Sequence, residues 1–70
     1  METATLTISV NGERQGLTVP ASVAALVELR GPRPPFAVEV NKRLVRRGDY
    51  AATELHEGDV VEIVTLVGGG

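Results

Sequence analysis

Seventy residues suffice for one small domain, and a domain of that size buries roughly 60% of the surface its unfolded chain exposes. With 43% hydrophobic and 23% charged residues the composition is that of a folded globule, while a net charge of −2 argues against nucleic acid as a partner, because phosphate neutralisation by Lys and Arg dominates such binding. The lack of cysteine excludes disulfides, thiolate metal sites and a cysteine nucleophile, and with Phe36 and Tyr50 as the only aromatics there is little to line a ligand cavity.

Thr3 to Val10 alternates polar and apolar residues with period two, which predicts a half-buried strand with Leu6, Ile8 and Val10 inward. Asn11-Gly12 supplies the positive φ angles of a tight hairpin, so Gln15 to Val19 is expected to return as the second strand. Pro20 and Ala21 end that hairpin. Ser22 is placed to cap a short amphipathic helix over Val23 to Arg30, with Val23, Leu26 and Val27 at helical spacing and Leu29 beside them. Gly31 and Pro32 close it, and Arg33-Pro34-Pro35 is a stiff connector. Phe36 to Val40 predicts a third strand with Val38 and Val40 inward, and Asn41-Lys42-Arg43 turns into a short strand at Leu44 to Arg46. Gly48 to Leu55 carries no period beyond that of a single helical turn. Glu57-Gly58-Asp59 is a turn, and Val60 to Val67 is the last strand, with Val61, Ile63 and Thr65 on one face and Val60, Glu62, Val64 and Leu66 on the other.

Hairpin, helix, strand, short strand and final strand, in that order, describe an α+β chain of the β-grasp arrangement. One helix covers one face of a mixed sheet of four to five strands, and the final strand lies in the sheet interior. Residues 1–67 are expected to form the domain and 68–70 a flexible glycine tail. The start of the chain has neither the basic opening nor the apolar run of a secretory signal, and no stretch is long enough to cross a bilayer, so no membrane partner and a cytoplasmic location are expected.

Charge is unevenly spread. Lys42, Arg43, Arg46 and Arg47 form a basic cluster, and Asp49, Glu54, Glu57, Asp59 and Glu62 follow with no Lys or Arg among them. The simple reading is a solvated surface, and the sharper one is an acidic stretch that steers docking to a basic partner. His56 is the only histidine and reads as a turn residue; Glu57 and Asp59 lack the further ligands of a cation site, so no metal is expected.

Gly68-Gly69-Gly70 departs from ordinary globular sequence, since three glycines at a fixed terminus are expected by chance in roughly 3 of 10,000 chains. Holding them in one conformation costs about 1–2 kcal/mol per residue in backbone entropy, and they have no side chains to offset it. Such an arm can thread a channel too narrow for other residues, gripped through its backbone, and it presents the unhindered carboxylate of Gly70. A carboxylate must be activated before it can transfer its acyl group, most simply as an acyl-adenylate. A frayed terminus would explain mobility but not the run of glycine. On the last strand, Val64 and Leu66 form an apolar patch leading into the tail if their face is outward; otherwise they pack under the Gly48 to Leu55 segment.

Ala37-Val38-Glu39-Val40-Asn41, Leu44-Val45-Arg46-Arg47, Tyr50 and the closing run from Gly58-Asp59 through Glu62-Ile63-Val64 to Gly68-Gly69-Gly70 resemble the small sulfur carriers of thiamin biosynthesis, a family ubiquitin-like in fold. The resemblance covers nearly the whole chain; Arg46 departs from it, standing where members often carry proline. It implies a carrier and not an enzyme. The Gly70 carboxylate would be adenylated by an activating enzyme that consumes ATP, with no cofactor bound to the carrier itself. A sulfur-donating persulfide enzyme would then convert it to a thiocarboxylate, and thiazole synthase would take the sulfur. Gly69, with Gly68 behind it, would be threaded into each partner, and Val64 and Leu66 would meet the partner surface. The small subunit of molybdopterin synthase, and a ubiquitin-like modifier or tRNA-thiolation carrier, have the same kind of tail. From another class, a plain interaction module would have no use for a free glycine carboxylate.

Overall fold

A computed structural model of the chain describes residues 4–66. Strand β1 (Thr5–Val10) and strand β2 (Glu13–Thr18) pair antiparallel in a register that sets Val10 opposite Glu13 and leaves Asn11 and Gly12 alone in the turn. Their φ angles of 52° and 83° are those of a type I′ turn, whose twist matches that of the strands it joins. The expected hairpin is present, with β2 opening at Glu13 instead of Gln15 because so tight a turn needs only two residues.

Next come β3 (Ala21–Ser22) and helix α1 (Val23–Arg30). Eight residues make a helix that is marginal by itself, and both of its ends are closed. The Ser22 hydroxyl accepts from the Ala25 N–H at 3.1 Å, and Gly31, left-handed at φ 57°, donates its N–H to the Val27 carbonyl at 2.8 Å. Val23 and Leu26 are fully buried and Val27 partly so, but Leu29, which the helical spacing grouped with them, points outward and is 58% exposed. The eight-residue helix presents too narrow a stripe to bury it.

Strand β4 (Phe36–Val40) leads through a second two-residue turn into β5 (Arg43–Val45). Asn41 and Lys42 both take positive φ, 51° and 69°, so Arg43 belongs to the strand and not, as its sequence position suggested, to the turn. A 3-10 turn at Arg47–Asp49 follows, and then β6 (Glu54–Leu55), which pairs with β3. Here the sequence reading is corrected. Ala21 is not merely the end of the first hairpin, and Leu55 is not irregular chain. The two face each other across a small ribbon, 3% and 1% exposed, and both belong to the core.

Strand β7 (Val60–Thr65) completes a five-stranded sheet in the order β2-β1-β7-β4-β5. It lies at the centre, parallel to β1 and antiparallel to β4. The inner face of the sheet, with Leu6, Ile8, Val10, Leu17, Val38, Val61 and Ile63, buries Val23 and Leu26 of α1. Burying a side chain of that size contributes about 1.5–3 kcal/mol each. This is the β-grasp arrangement expected. Val67 and the glycine tail at Gly68, Gly69 and Gly70 lie outside the described residues.

Candidate functional site

What the fold prepares is the far end of β7. The strand begins at a turn that polar side chains lock. The Asn41 amide accepts from the Val60 N–H at 2.9 Å and donates to Asp59 Oδ1 at 3.0 Å, while Asp59 Oδ2 accepts from the His56 N–H at 2.9 Å. Glu57 Oε1 accepts from the Thr7 N–H at 2.9 Å. Two members of the acidic stretch are thus occupied in satisfying backbone donors. Glu54 lies 3.9 Å from His56 Nε2 with both side chains largely in water. The acidic run is therefore not one continuous docking surface; its member on the outer face of the sheet is Glu62. His56 sits at the turn, as its sequence position suggested, and the described residues contain no group of side chains able to hold a metal ion.

The strand then runs between two neighbours. Val61 and Val10 are partners across the parallel ladder to β1, and beyond them the Asn11 side chain clasps Ile63. On the other side β4 pairs with the whole of β7, from Val40 with Val61 to Phe36 with Thr65. One residue further, the Leu66 N–H donates to the Pro35 carbonyl at 2.8 Å. The chain is held by its backbone up to Leu66, two residues before the first glycine of the tail.

Alternation decides the faces. Val61 and Ile63 are 0% and 9% exposed, whereas Val60, Val64 and Leu66 are 50%, 48% and 51% exposed. The alternative in which Val64 and Leu66 pack beneath the Gly48 to Leu55 segment is excluded, because that segment covers the inner side of the domain through Leu55. Thr65, grouped with Val61 and Ile63 by period, is exposed at the end of the strand. Leu44 of β5 is 66% exposed and stands on the same outer face, since it pairs with Glu39, which pairs with Glu62. Sequence reasoning missed Leu44 and Glu39 as members of this face; their placement depends on strand register, which alternation within one strand does not provide.

A groove of about 680 Å³ bounded by Val40, Asn41, Leu44, Thr53 and Asp59 lies at the other end of β7, beside its first residues. It is open to water and remote from the tail's base, so the candidate site is the outer face around Val64 and Leu66 together with the tail that follows. No helix among the described residues is long and apolar enough to cross a membrane.

Comparison with known proteins agrees with this geometry. The ThiS family matches residues 3–70. The chain is 37% identical over 62 residues to a thiazole synthase of Paramagnetospirillum magneticum, covering 87% of this chain and 19% of that one. It is 39% identical over 64 residues to a thiazole synthase of Magnetococcus marinus, covering 90% and 20%. The chain therefore spans about a fifth of the length of these two curated relatives. Among solved structures, the thiamine biosynthesis protein ThiS from Geobacter metallireducens superposes with a TM-score of 0.77 at 26% identity, over 93% of this chain and 100% of the other. A central strand that delivers its end to a glycine run, on a five-stranded sheet with one helix, is what these proteins have in common with it, and the chain belongs to the ThiS family of ubiquitin-like sulfur carriers.

Proposed function

We propose that this chain carries sulfur for the thiazole ring of thiamin as a thiocarboxylate on Gly70. The observation that carries the reading is the anchoring of β7, held on both sides through Ile63 and pinned at Leu66, directly before a run of three glycines. A rigid base and a slender arm suit a carboxylate that must enter other proteins' active sites.

The chemistry follows from what a carboxylate lacks. Its oxygen is a poor leaving group, so an adenylating enzyme with ATP would first activate it. A Gly70 carboxylate oxygen attacks the α-phosphorus, and pyrophosphate leaves. The terminal sulfur of a persulfide then attacks the acyl carbon and AMP departs, leaving an acyl disulfide. A second thiol cleaves the S–S bond, forming a disulfide with the donor's sulfur and releasing the thiocarboxylate. Use of ATP by the partner fits a cytoplasmic setting. Gly68 and Gly69 are the threaded backbone, and Val64 and Leu66 meet the partner beside the channel. Two relatives bear the name thiazole synthase, which supports that enzyme as the recipient of the sulfur.

The test is direct. The chain is incubated with ATP, the adenylating enzyme of the same genome and a persulfide donor, then weighed intact. Exchange of one oxygen for sulfur, absent when Gly69 and Gly70 are deleted, is the expected result. An unchanged mass under conditions in which the enzyme consumes ATP with another carrier overturns the reading.

A further inference from the structure

The outer face of the sheet carries an arrangement that does not serve the free domain. Glu39 on β4 and Glu62 on β7 are direct cross-strand partners, with Leu44 on β5 completing the row. Like charges placed opposite each other on a sheet are destabilising. Their neighbours on that face are Ala37 and Asn41 along β4, and Val60 and Val64 along β7, none of them a cation. Among the described residues neither carboxylate takes part in an ion pair or a side-chain hydrogen bond. The basic cluster does not supply the missing charge, although Lys42 and Arg46 lie two residues either side of Leu44. The paired carboxylates are ringed by exposed apolar side chains, with Leu44 66%, Val60 50%, Val64 48% and Leu66 51% exposed.

We infer that this face docks on a protein surface that sets an arginine between apolar side chains, the guanidinium bridging Glu39 and Glu62 while Val64, Leu66 and Leu44 are covered. A guanidinium has the planar fork needed to meet two carboxylates at once, which the compact ammonium of lysine lacks. The apolar ring would exclude water from that contact and strengthen it. The tail leaves from Leu66 at the edge of the same face, so a protein that receives the tail lies against these residues. The inference rests on the carrier reading for the identity of the partner, and it assigns the chemistry of the partner's surface.

The test uses the full chain carrying Glu39→Gln and Glu62→Gln together, titrated against the purified adenylating enzyme and, separately, the thiazole synthase of the same genome. Affinity for at least one of them is expected to fall about tenfold or more, with most of the native protein's salt dependence lost. Thermal unfolding of the doubly substituted chain is expected at the native temperature or above it, since a repulsion has been removed; this separates weaker docking from poorer folding. Unchanged affinity for both enzymes overturns the inference. The carrier reading is judged separately by the mass of the native chain after loading, which these substitutions do not enter.

Discussion

The side-chain amide of Asn11 makes to Ile63 the two hydrogen bonds that a neighbouring strand would make. Its Oδ1 accepts from the Ile63 N–H at 2.8 Å, and its Nδ2 donates to the Ile63 carbonyl at 3.1 Å. The parallel ladder between β1 and β7 ends at Val10 with Val61, and the amide takes over where β1 turns away. One residue thus shapes the hairpin, through its positive φ, and secures the strand that leads to the tail.

Substitution separates the two roles. Asn11→Gly keeps the positive φ but leaves the Ile63 groups without protein partners, and is expected to cost about 1–2 kcal/mol. Asn11→Ala also strains the turn and should cost about 1 kcal/mol more. Urea unfolding followed by circular dichroism measures both. Equal stability of Asn11→Gly and the native chain would show that the clasp contributes nothing.

The second hairpin repeats the device, with Asn41 binding the start of β7 as Asn11 binds its middle. It differs in placing Lys42 at φ 69°, where the first hairpin has Gly12. A left-handed conformation is strained for a residue with a Cβ, whereas glycine adopts it freely but has more freedom to lose on folding. Relief of strain is the larger effect. Lys42→Gly is expected to stabilise the domain by about 0.5 kcal/mol, read as a higher urea midpoint at an unchanged slope.

Much of this was legible in the sequence, and the exceptions have a physical pattern. Asn11-Gly12, the Ser22 and Gly31 caps and the alternation of β7 are local signals, each carried by a few adjacent residues, and each located its element. The ribbon of Ala21–Ser22 with Glu54–Leu55 was not legible, because strands of two residues have no period. The Asn amides were read for their turn propensity alone, since their partners lie 52 and 19 residues away. Of the candidate site, the outward face of Val64 and Leu66 could be stated as an alternative, but choosing between the faces required knowing where the helix lies. The opposition of Glu39 and Glu62 required the register.

The ribbon makes its own prediction. Leu55 is 1% exposed although it sits in a segment that reads as a loop, and it fills the core beside the partly buried Tyr50. Leu55→Ala is expected to cost about 2–5 kcal/mol through lost burial and the cavity left behind. In a domain of this size that is a large share of the total stability. Loss of a cooperative thermal transition, or a fall in its midpoint by ten degrees or more, is the expected observation. A shift of only a degree or two would place Leu55 outside the core.

Val64 and Leu66 allow recognition to be separated from chemistry. Both are about half exposed, so Val64→Thr with Leu66→Gln should alter the unfolding free energy by no more than about 0.5 kcal/mol. Neither residue is next to Gly70, where the bonds would change. Contacts made far from the reacting atoms are as strong in the ground state as in the transition state, so losing them raises KM and leaves kcat alone. Covering the two side chains with a partner is worth about 2 kcal/mol in all, which corresponds to a rise in KM of roughly tenfold or more for the carrier in adenylation by the partner enzyme. Single-turnover loading at saturating enzyme should then run at the native rate. If kcat falls instead and KM holds, the patch does not serve docking, and the tail alone must carry recognition.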